Sequence, residues 1–203
     1  MSGIDAIIFD LGNVLVHVDE QRCADRCAKL TGKTAVEVLD YFRRTSHATE
    51  FALGKLTRRQ FARVVSKDLG FAGGYEEFAS VWCEIFTGIE PMIALAESLR
   101  TRRPRVILSN TNALHIDYIA AHFPWFNEFD DRVLSYEVGL LKPDAAIFEH
   151  TLRKCGLEAS RAAFIDDLAP NVEAARRLGL QAIRYENADQ VRAELTKLGV
   201  SPI

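Results

Sequence analysis

Cysteine is scarce in this chain, and the few there are do not pair. Of 203 residues four are cysteine, and Cys23, Cys27, Cys83 and Cys155 form no CxxC motif and no metal-ligand spacing with histidine. That excludes a disulfide framework and a thiolate metal site. The expected role of these side chains is small apolar packing, with Cys23 and Cys27 four apart on one helix and the thiols reduced, as in the cytoplasm. Long apolar runs are absent too, which excludes a membrane-spanning helix. The first strand begins within a few residues of the N-terminus, leaving no room for a signal peptide, so a soluble, cytoplasmic protein is expected. Basic charge is not in excess: 25 Lys and Arg stand against 28 Asp and Glu, a formal net charge of -3. No broad positive field invites nucleic acid or an anionic membrane surface, and an anionic ligand would have to be held by local groups. Internal repeats and low-complexity tracts are also missing, and nothing in the pattern fixes an oligomeric state.

What the chain does have is a change of rhythm. Ile7-Ile8-Phe9-Asp10 is an apolar run ending in a carboxylate and a Gly12-Asn13 turn, the pattern of a buried strand breaking at a sheet edge. The pattern then becomes helical to about Phe86, with no strand-like alternation. Glu20 to Leu30 reads as a helix stopped near Gly32, and Thr34-Ala-Val-Glu37 and Thr57-Arg-Arg-Gln60 have the form of capping boxes opening two more. Tyr75 to Phe86 reads as a fourth. From Pro91 onward helices and strands alternate: helix 91–99, strand 105–108, helix 114–122, strand 132–138, helix 143–155, strand 162–165, helix 170–178, strand 181–185 and a final helix. Such alternation implies a parallel sheet covered on both faces. The expected architecture is therefore α/β, a doubly wound parallel sheet built from residues 1–17 and 89–203, with residues 18–88 inserted as an all-helical cap.

Each expected strand ends in a residue of interest. Open parallel sheets bind ligands at the carboxyl ends of their strands, where Asp10 is a candidate nucleophile or metal ligand, or a turn cap. Ser109-Asn110-Thr111-Asn112 follows a strand and offers a hydroxyl, amides and turn N–H groups, either as an anion cradle or as a helix N-cap. Lys142 precedes Pro143 at a helix start and could aim an ammonium at a phosphoryl oxygen and at Asp10, or point to solvent. Asp166 and Asp167 are adjacent carboxylates after an apolar strand. They repel unless a cation or hydrogen bonds offset the cost, a need that Mg²⁺ suits, or one of them caps the next helix.

In this order and context the four segments resemble the haloacid dehalogenase (HAD) superfamily of phosphohydrolases, over nearly the whole chain. More narrowly, Phe9-Asp-Leu-Gly-Asn-Val14, Ser109-Asn-Thr-Asn112 with Leu114-His115, and Asp166-Asp-Leu-Ala-Pro-Asn171 look like the subgroup containing the bacterial glucose-1-phosphate phosphatases. The resemblance implies a Rossmann-like core and a Mg²⁺-dependent phosphatase acting on a small phosphorylated metabolite, with a sugar phosphate such as a sugar 1-phosphate as the expected substrate. It implies Asp10 as the residue phosphorylated, Ser109 and Asn110 as holders of phosphoryl oxygens, and Lys142 as the cation facing the developing charge. Mg²⁺ would be bound by Asp10, the Gly12 carbonyl and Asp167, with Asp166 on a metal-bound water.

One position departs from that pattern. Most phosphatases of the superfamily carry a second aspartate two residues after the nucleophile, as general acid and base. Here that position is Gly12. Either the substrate has a good leaving group, or His17 or Asp19 supplies the proton with Arg22 contacting substrate, or the protein is a phosphate-binding or regulatory module with little turnover. Gly12 could also be required because the turn admits no Cβ. A 2-haloacid dehalogenase is a further alternative, disfavoured by the Asp166-Asp167 pair.

Overall fold

The computed structural model describes residues 3–200. Its centre is β1 (Ala6–Phe9), in which all four residues are buried. Successive strand side chains point to opposite faces, and both faces of β1 are apolar because both are covered. Ile7 and Phe9 belong to one core cluster with Met92, Leu95, Ile116 and Val191. Ile8 belongs to another with Val106, Phe148, Phe164 and Val172.

Five parallel strands lie in the order β5-β4-β1-β6-β7, with β4 (Arg105–Ser109), β5 (Asp131–Leu134), β6 (Ala162–Asp166) and β7 (Gln181–Arg184). The apolar residues just named put α6 (Glu90–Ser98), α7 (Ala113–His122) and α11 (Ala188–Lys197) on one face, and α9 (Ala145–Cys155) and α10 (Ala169–Arg177) on the other. This is the α/β fold expected from the alternating pattern. Register then decides what meets at the carboxyl edge. Phe9 is level with Ile107 on one side and Ile165 on the other, so Asp10, Ser109 and Asp166 leave neighbouring strands side by side.

Between β1 and α6 the chain forms α1 (Glu20–Thr31), α2 (Ala35–Arg44), α3 (His47–Ala52), α4 (Arg58–Leu69) and α5 (Tyr75–Cys83), which share their own apolar cluster. Phe51 and Phe61 stack at its middle, 4.4 Å between ring centroids. Both capping boxes are formed: Thr34 with Glu37, and Thr57 with Gln60. Each satisfies two helix-end donors reciprocally.

Three expectations are corrected here. The segment is not wholly helical, because β2 (Val16–Val18) and β3 (Phe86–Gly88) pair antiparallel where the chain leaves and rejoins the sheet. The helix begun at Tyr75 therefore ends at Cys83, and Phe86 lies in a strand opposite Val18. Third, the strand expected over 132–138 stops at Leu134, and Ser135–Val138 is a helical turn, α8, closed by Gly139 at φ 68°. β4 pairs with β5 only as far as Ser109 with Leu134; past that point there is no ladder partner, and a local turn supplies the hydrogen bonds instead. The short helix α3 had no clear cue in the sequence pattern. No helix among the described residues is long and apolar enough to cross a membrane.

Candidate active site

Three carboxylates and one ammonium converge at the edge where β1, β4 and β6 end. Lys142 is buried, and its Nζ lies 2.8 Å from Asp10 Oδ1 and 2.7 Å from Asp166 Oδ2, while donating to the Leu108 carbonyl at 2.9 Å. An ammonium has three donors, so all three are in use, and the exposed lysine that was the alternative is excluded. Burial disfavours its charge, but Asp10 and Asp166 outweigh that and hold its pKa above the ordinary lysine value.

Asp10 answers to the opposite balance. Burial, the largest influence, and the charge of Asp166 raise its pKa to about 7, against the pull of Lys142 and of the Leu11 N–H. Its two oxygens differ. Oδ1 accepts from the Leu11 N–H at 2.7 Å and faces Lys142; Oδ2 accepts no hydrogen bond from the described residues. The free oxygen is the one available to attack or to ligate.

Asp166 is the most fully hydrogen-bonded of the three carboxylates. Oδ1 accepts from the Leu168 N–H at 2.9 Å and Asn171 Nδ2 at 3.0 Å, and Oδ2 from Asn171 Nδ2 at 3.0 Å and Lys142 Nζ. A carboxylate has about four lone-pair sites, and these are filled. Asp166 therefore anchors Lys142. Asp167, half-buried, is the freer of the pair; burial and the adjacent Asp166 charge hold it above the usual carboxylate range. Ligand atoms of Asp10, Asp166 and Asp167 lie within 4.8 Å of one another. With one ammonium among three carboxylates, two negative charges are left uncompensated, and a divalent cation with oxygen ligands fits that set.

The Ser109 segment provides the N-cap of the next helix and also reaches the cavity. Ser109 is buried at the end of β4 and lines the cavity with Asp10 and Lys142. Asn112 is the N-cap of α7, accepting from the His115 N–H at 3.0 Å. Asn110 is engaged with the lysine loop: its Nδ2 donates to the Lys142 carbonyl and its Oδ1 accepts from the Lys142 N–H, both at 2.8 Å. Two positioning residues had no role assigned in the sequence. Asn171, at the start of α10, holds both Asp166 oxygens. Ser135, fully buried, accepts from the Thr111 N–H and donates to the Thr111 carbonyl, both at 2.9 Å.

A cavity of about 640 Å³ runs from these groups to the helical layer. His17, Asp19 and Arg22 are not in its wall. His17 is exposed on β2, and Asp19 is the N-cap of α1, its carboxylate accepting from the Arg22 N–H at 2.9 Å. The charged side chains that the helical layer does contribute are Glu20 and Arg43. Gly12 does not have a left-handed φ, and a Cβ there would come no closer than 3.4 Å to Val18 Cγ2. The residue in the left-handed region is Asn13, at φ 54°. The turn thus has no need of glycine at position 12.

His115 joins the layers. Asn112 Nδ2 lies 3.0 Å from its Nδ1, and its Nε2 lies 3.2 Å from the Trp82 carbonyl. One tautomer satisfies both contacts: Nε2 donates to Trp82 and Nδ1 accepts from Asn112. Burial lowers its pKa to about 4. The unfolded chain binds a proton near pH 6.5 that the folded chain refuses until about pH 4, so stability falls as pH drops through that window. Urea unfolding at pH 7 and pH 4.5 should show a loss of about 1–3 kcal/mol from this group. His115→Gln, which keeps a donor but not the titration, should lose correspondingly less over the same interval; an equal loss in both proteins would remove His115 as its source.

With this geometry established, comparison with known proteins gives a consistent answer. The family model of haloacid dehalogenase-like hydrolases matches residues 4–179. A D-ribitol-5-phosphate phosphatase of Bacteroides thetaiotaomicron is 28% identical over 202 residues, 95% of this chain and 97% of that protein. A crystal structure of a HAD family enzyme from the same organism, in complex with magnesium and inorganic phosphate, superposes with a TM-score of 0.84 at 24% identity, over 91% of this chain and 95% of that one. A predicted HAD-like family hydrolase from Porphyromonas gingivalis superposes with a TM-score of 0.82 at 26% identity, over 97% and 98%. The family match runs from just before β1 to just past α10 and encloses every group at the sheet edge: this chain belongs to the haloacid dehalogenase-like hydrolases.

Proposed function

We propose that the protein is a Mg²⁺-dependent phosphomonoester hydrolase that acts on a small phosphorylated metabolite through an aspartyl phosphate at Asp10. The observation that carries this reading is the inequality of the Asp10 oxygens in a carboxylate cluster with Asp166 and Asp167: Oδ1 is held by Lys142 and the Leu11 N–H, and Oδ2 accepts no hydrogen bond from the described residues. In the first step Oδ2 forms a bond to phosphorus as the ester P–O bond breaks, the electron pair leaving with the alcohol oxygen. Water then attacks phosphorus, the P–Oδ2 bond breaks, and inorganic phosphate and the Asp10 carboxylate are released. Lys142 faces the charge that develops on the phosphoryl oxygens, and Ser109 with the loop N–H groups binds them. Mg²⁺, held by Asp10, Asp167 and the Gly12 carbonyl, would supply further charge stabilisation at the phosphoryl group. Asn110 contributes mainly by fixing the Lys142 loop. Residues 18–88 act as a cap over the core formed by 1–17 and 89–203, and exclude water from the cavity. The expected partners are small molecules, with no nucleic acid or membrane involved, in a cytoplasmic setting.

The ribitol-phosphate relative supports a narrower second reading, a polyol or sugar phosphate; placement in the glucose-1-phosphate phosphatase subgroup rests on the motif resemblance alone. Purified protein should release phosphate from an activated phosphoryl donor such as the acyl phosphate acetyl phosphate. Removing Mg²⁺ by chelation should reduce the rate at least about 100-fold, given that a metal ion contributes several kcal/mol of charge stabilisation, and adding the ion back should restore it. Silence across a broad ester panel would favour a phosphate-binding module. Chloride release from a 2-haloacid, indifferent to chelator, would favour the dehalogenase.

A further inference from the structure

The cavity wall opposite the carboxylates does not suit a polyol. Val38, Leu39 and Phe42 of α2, Ala48 of α3, Trp82 of α5 and Phe86 of β3 line it. Among the described residues on that side the charged members are Glu20 and Arg43, both exposed, and Arg43 already reaches Asp40 at 3.3 Å. The Trp82 indole N–H is buried and has no acceptor among the described residues. A site that selects a sugar presents hydrogen-bonding groups to each hydroxyl it buries, because unpaired polar groups are costly. This wall presents carbon and aromatic rings, which suits an apolar body.

A second, independent feature limits the chemistry of the leaving oxygen. Position 12 is glycine, the carboxylates grouped with Asp10 among the described residues are Asp166 and Asp167, and the acid that the helical layer adds to the cavity wall, Glu20, is exposed. An alkoxide is about as basic as hydroxide, whose parent water has a pKa of 15.7, and leaves slowly unless protonated. A phenolate, whose parent acid has a pKa of about 10 like that of tyrosine, leaves without help.

Resting on the phosphatase reading above, we infer that the substrate is an aryl phosphomonoester: the aromatic ring occupies the cavity against Phe42, Trp82 and Phe86 while the phosphoryl group sits at Asp10. The P–O bond to the ring breaks as Asp10 Oδ2 bonds to phosphorus. The electron pair leaves as a phenolate, which takes its proton from water.

Four esters separate the two requirements. Phenyl phosphate is apolar with a good leaving group, and benzyl phosphate is apolar with a poor one. Glucose 1-phosphate and ribitol 5-phosphate are polar, the first with the better leaving group. With Mg²⁺ and the full chain, kcat/KM for phenyl phosphate should exceed that for ribitol 5-phosphate by about 10²-fold or more, the value of the missing acid alone, with the other two between. Equal or faster turnover of either sugar phosphate overturns the aryl assignment and leaves the phosphatase standing. Release from none of the four, nor from acetyl phosphate, above the Asp10→Asn background overturns both. Phe42→Asn should raise the KM for phenyl phosphate at least about tenfold more than the KM for acetyl phosphate, as loss of an apolar contact does. Leu39→Gln tests the same wall should the first variant not fold. A uniform change across both substrates means that the ring does not sit there.

Discussion

Asp10→Asn is expected to lower phosphate release by at least about 10³-fold, the scale on which a covalent nucleophile is missed, and to leave the protein as stable as before or more so. The two halves have one cause. Burial and Asp166 hold the Asp10 pKa at about 7, well above the ordinary carboxylate value. A group whose folded pKa is raised stabilises the fold when protonated and ceases to as pH climbs through that value. At pH 8, then, the ionised carboxylate is kept at a cost to folding. A neutral amide of the same shape removes the repulsion with Asp166 and leaves Lys142 paired to Asp166 at 2.7 Å. The measurement is phosphate release alongside thermal unfolding at pH 6 and pH 8: the variant's advantage in Tm should grow with pH as activity is lost. A variant that melts well below the parent at pH 8 would show that Lys142 contributes more through Asp10 than Asp166 takes away. A variant with activity intact would end the nucleophile assignment.

The parts of this site that local chemistry dictates were readable in the chain. Asp10, Ser109 and Asp166 each follow an apolar run, and a buried strand that must end at a sheet edge puts its next residue in the crevice. Both capping boxes were legible because three residues of spacing settle their geometry. What pairing across the chain decides was not legible. Val16–Val18 and Phe86–Gly88 are three-residue strands some seventy positions apart in sequence, and neither has a period of its own long enough to detect. Ser135 carries no local signal, since its partner is the backbone of Thr111, 24 residues earlier. Asn171 stood within a motif that was noticed, but only the folded chain shows its amide bracing Asp166. Asp19 misled for an instructive reason: a polar residue in a linker serves a nearby helix end as readily as a distant pocket, and here α1 claimed it.

Restoring an acid at position 12 is the strongest test of how this chain does its chemistry. Gly12→Asp should raise kcat/KM for an alkyl ester such as benzyl phosphate by about 10²–10⁴-fold, the contribution of a positioned general acid. Phenyl phosphate should gain far less from proton donation in the first step. The backbone permits the change, because position 12 lies outside the left-handed region and the new Cβ meets Val18 Cγ2 at 3.4 Å, an ordinary contact. The added charge joins a cluster with two negative charges already uncompensated, so the variant should bind Mg²⁺ more tightly and lose more stability on chelation than the parent. Leaving-group dependence supplies the discriminating number. Across a series of esters, log kcat/KM of the parent should fall steeply as the pKa of the departing alcohol rises, and the variant's plot should flatten. Parallel slopes would mean that another group already delivers the proton, and Glu20, the acid that the helical layer adds to the cavity wall, would be the first residue to replace.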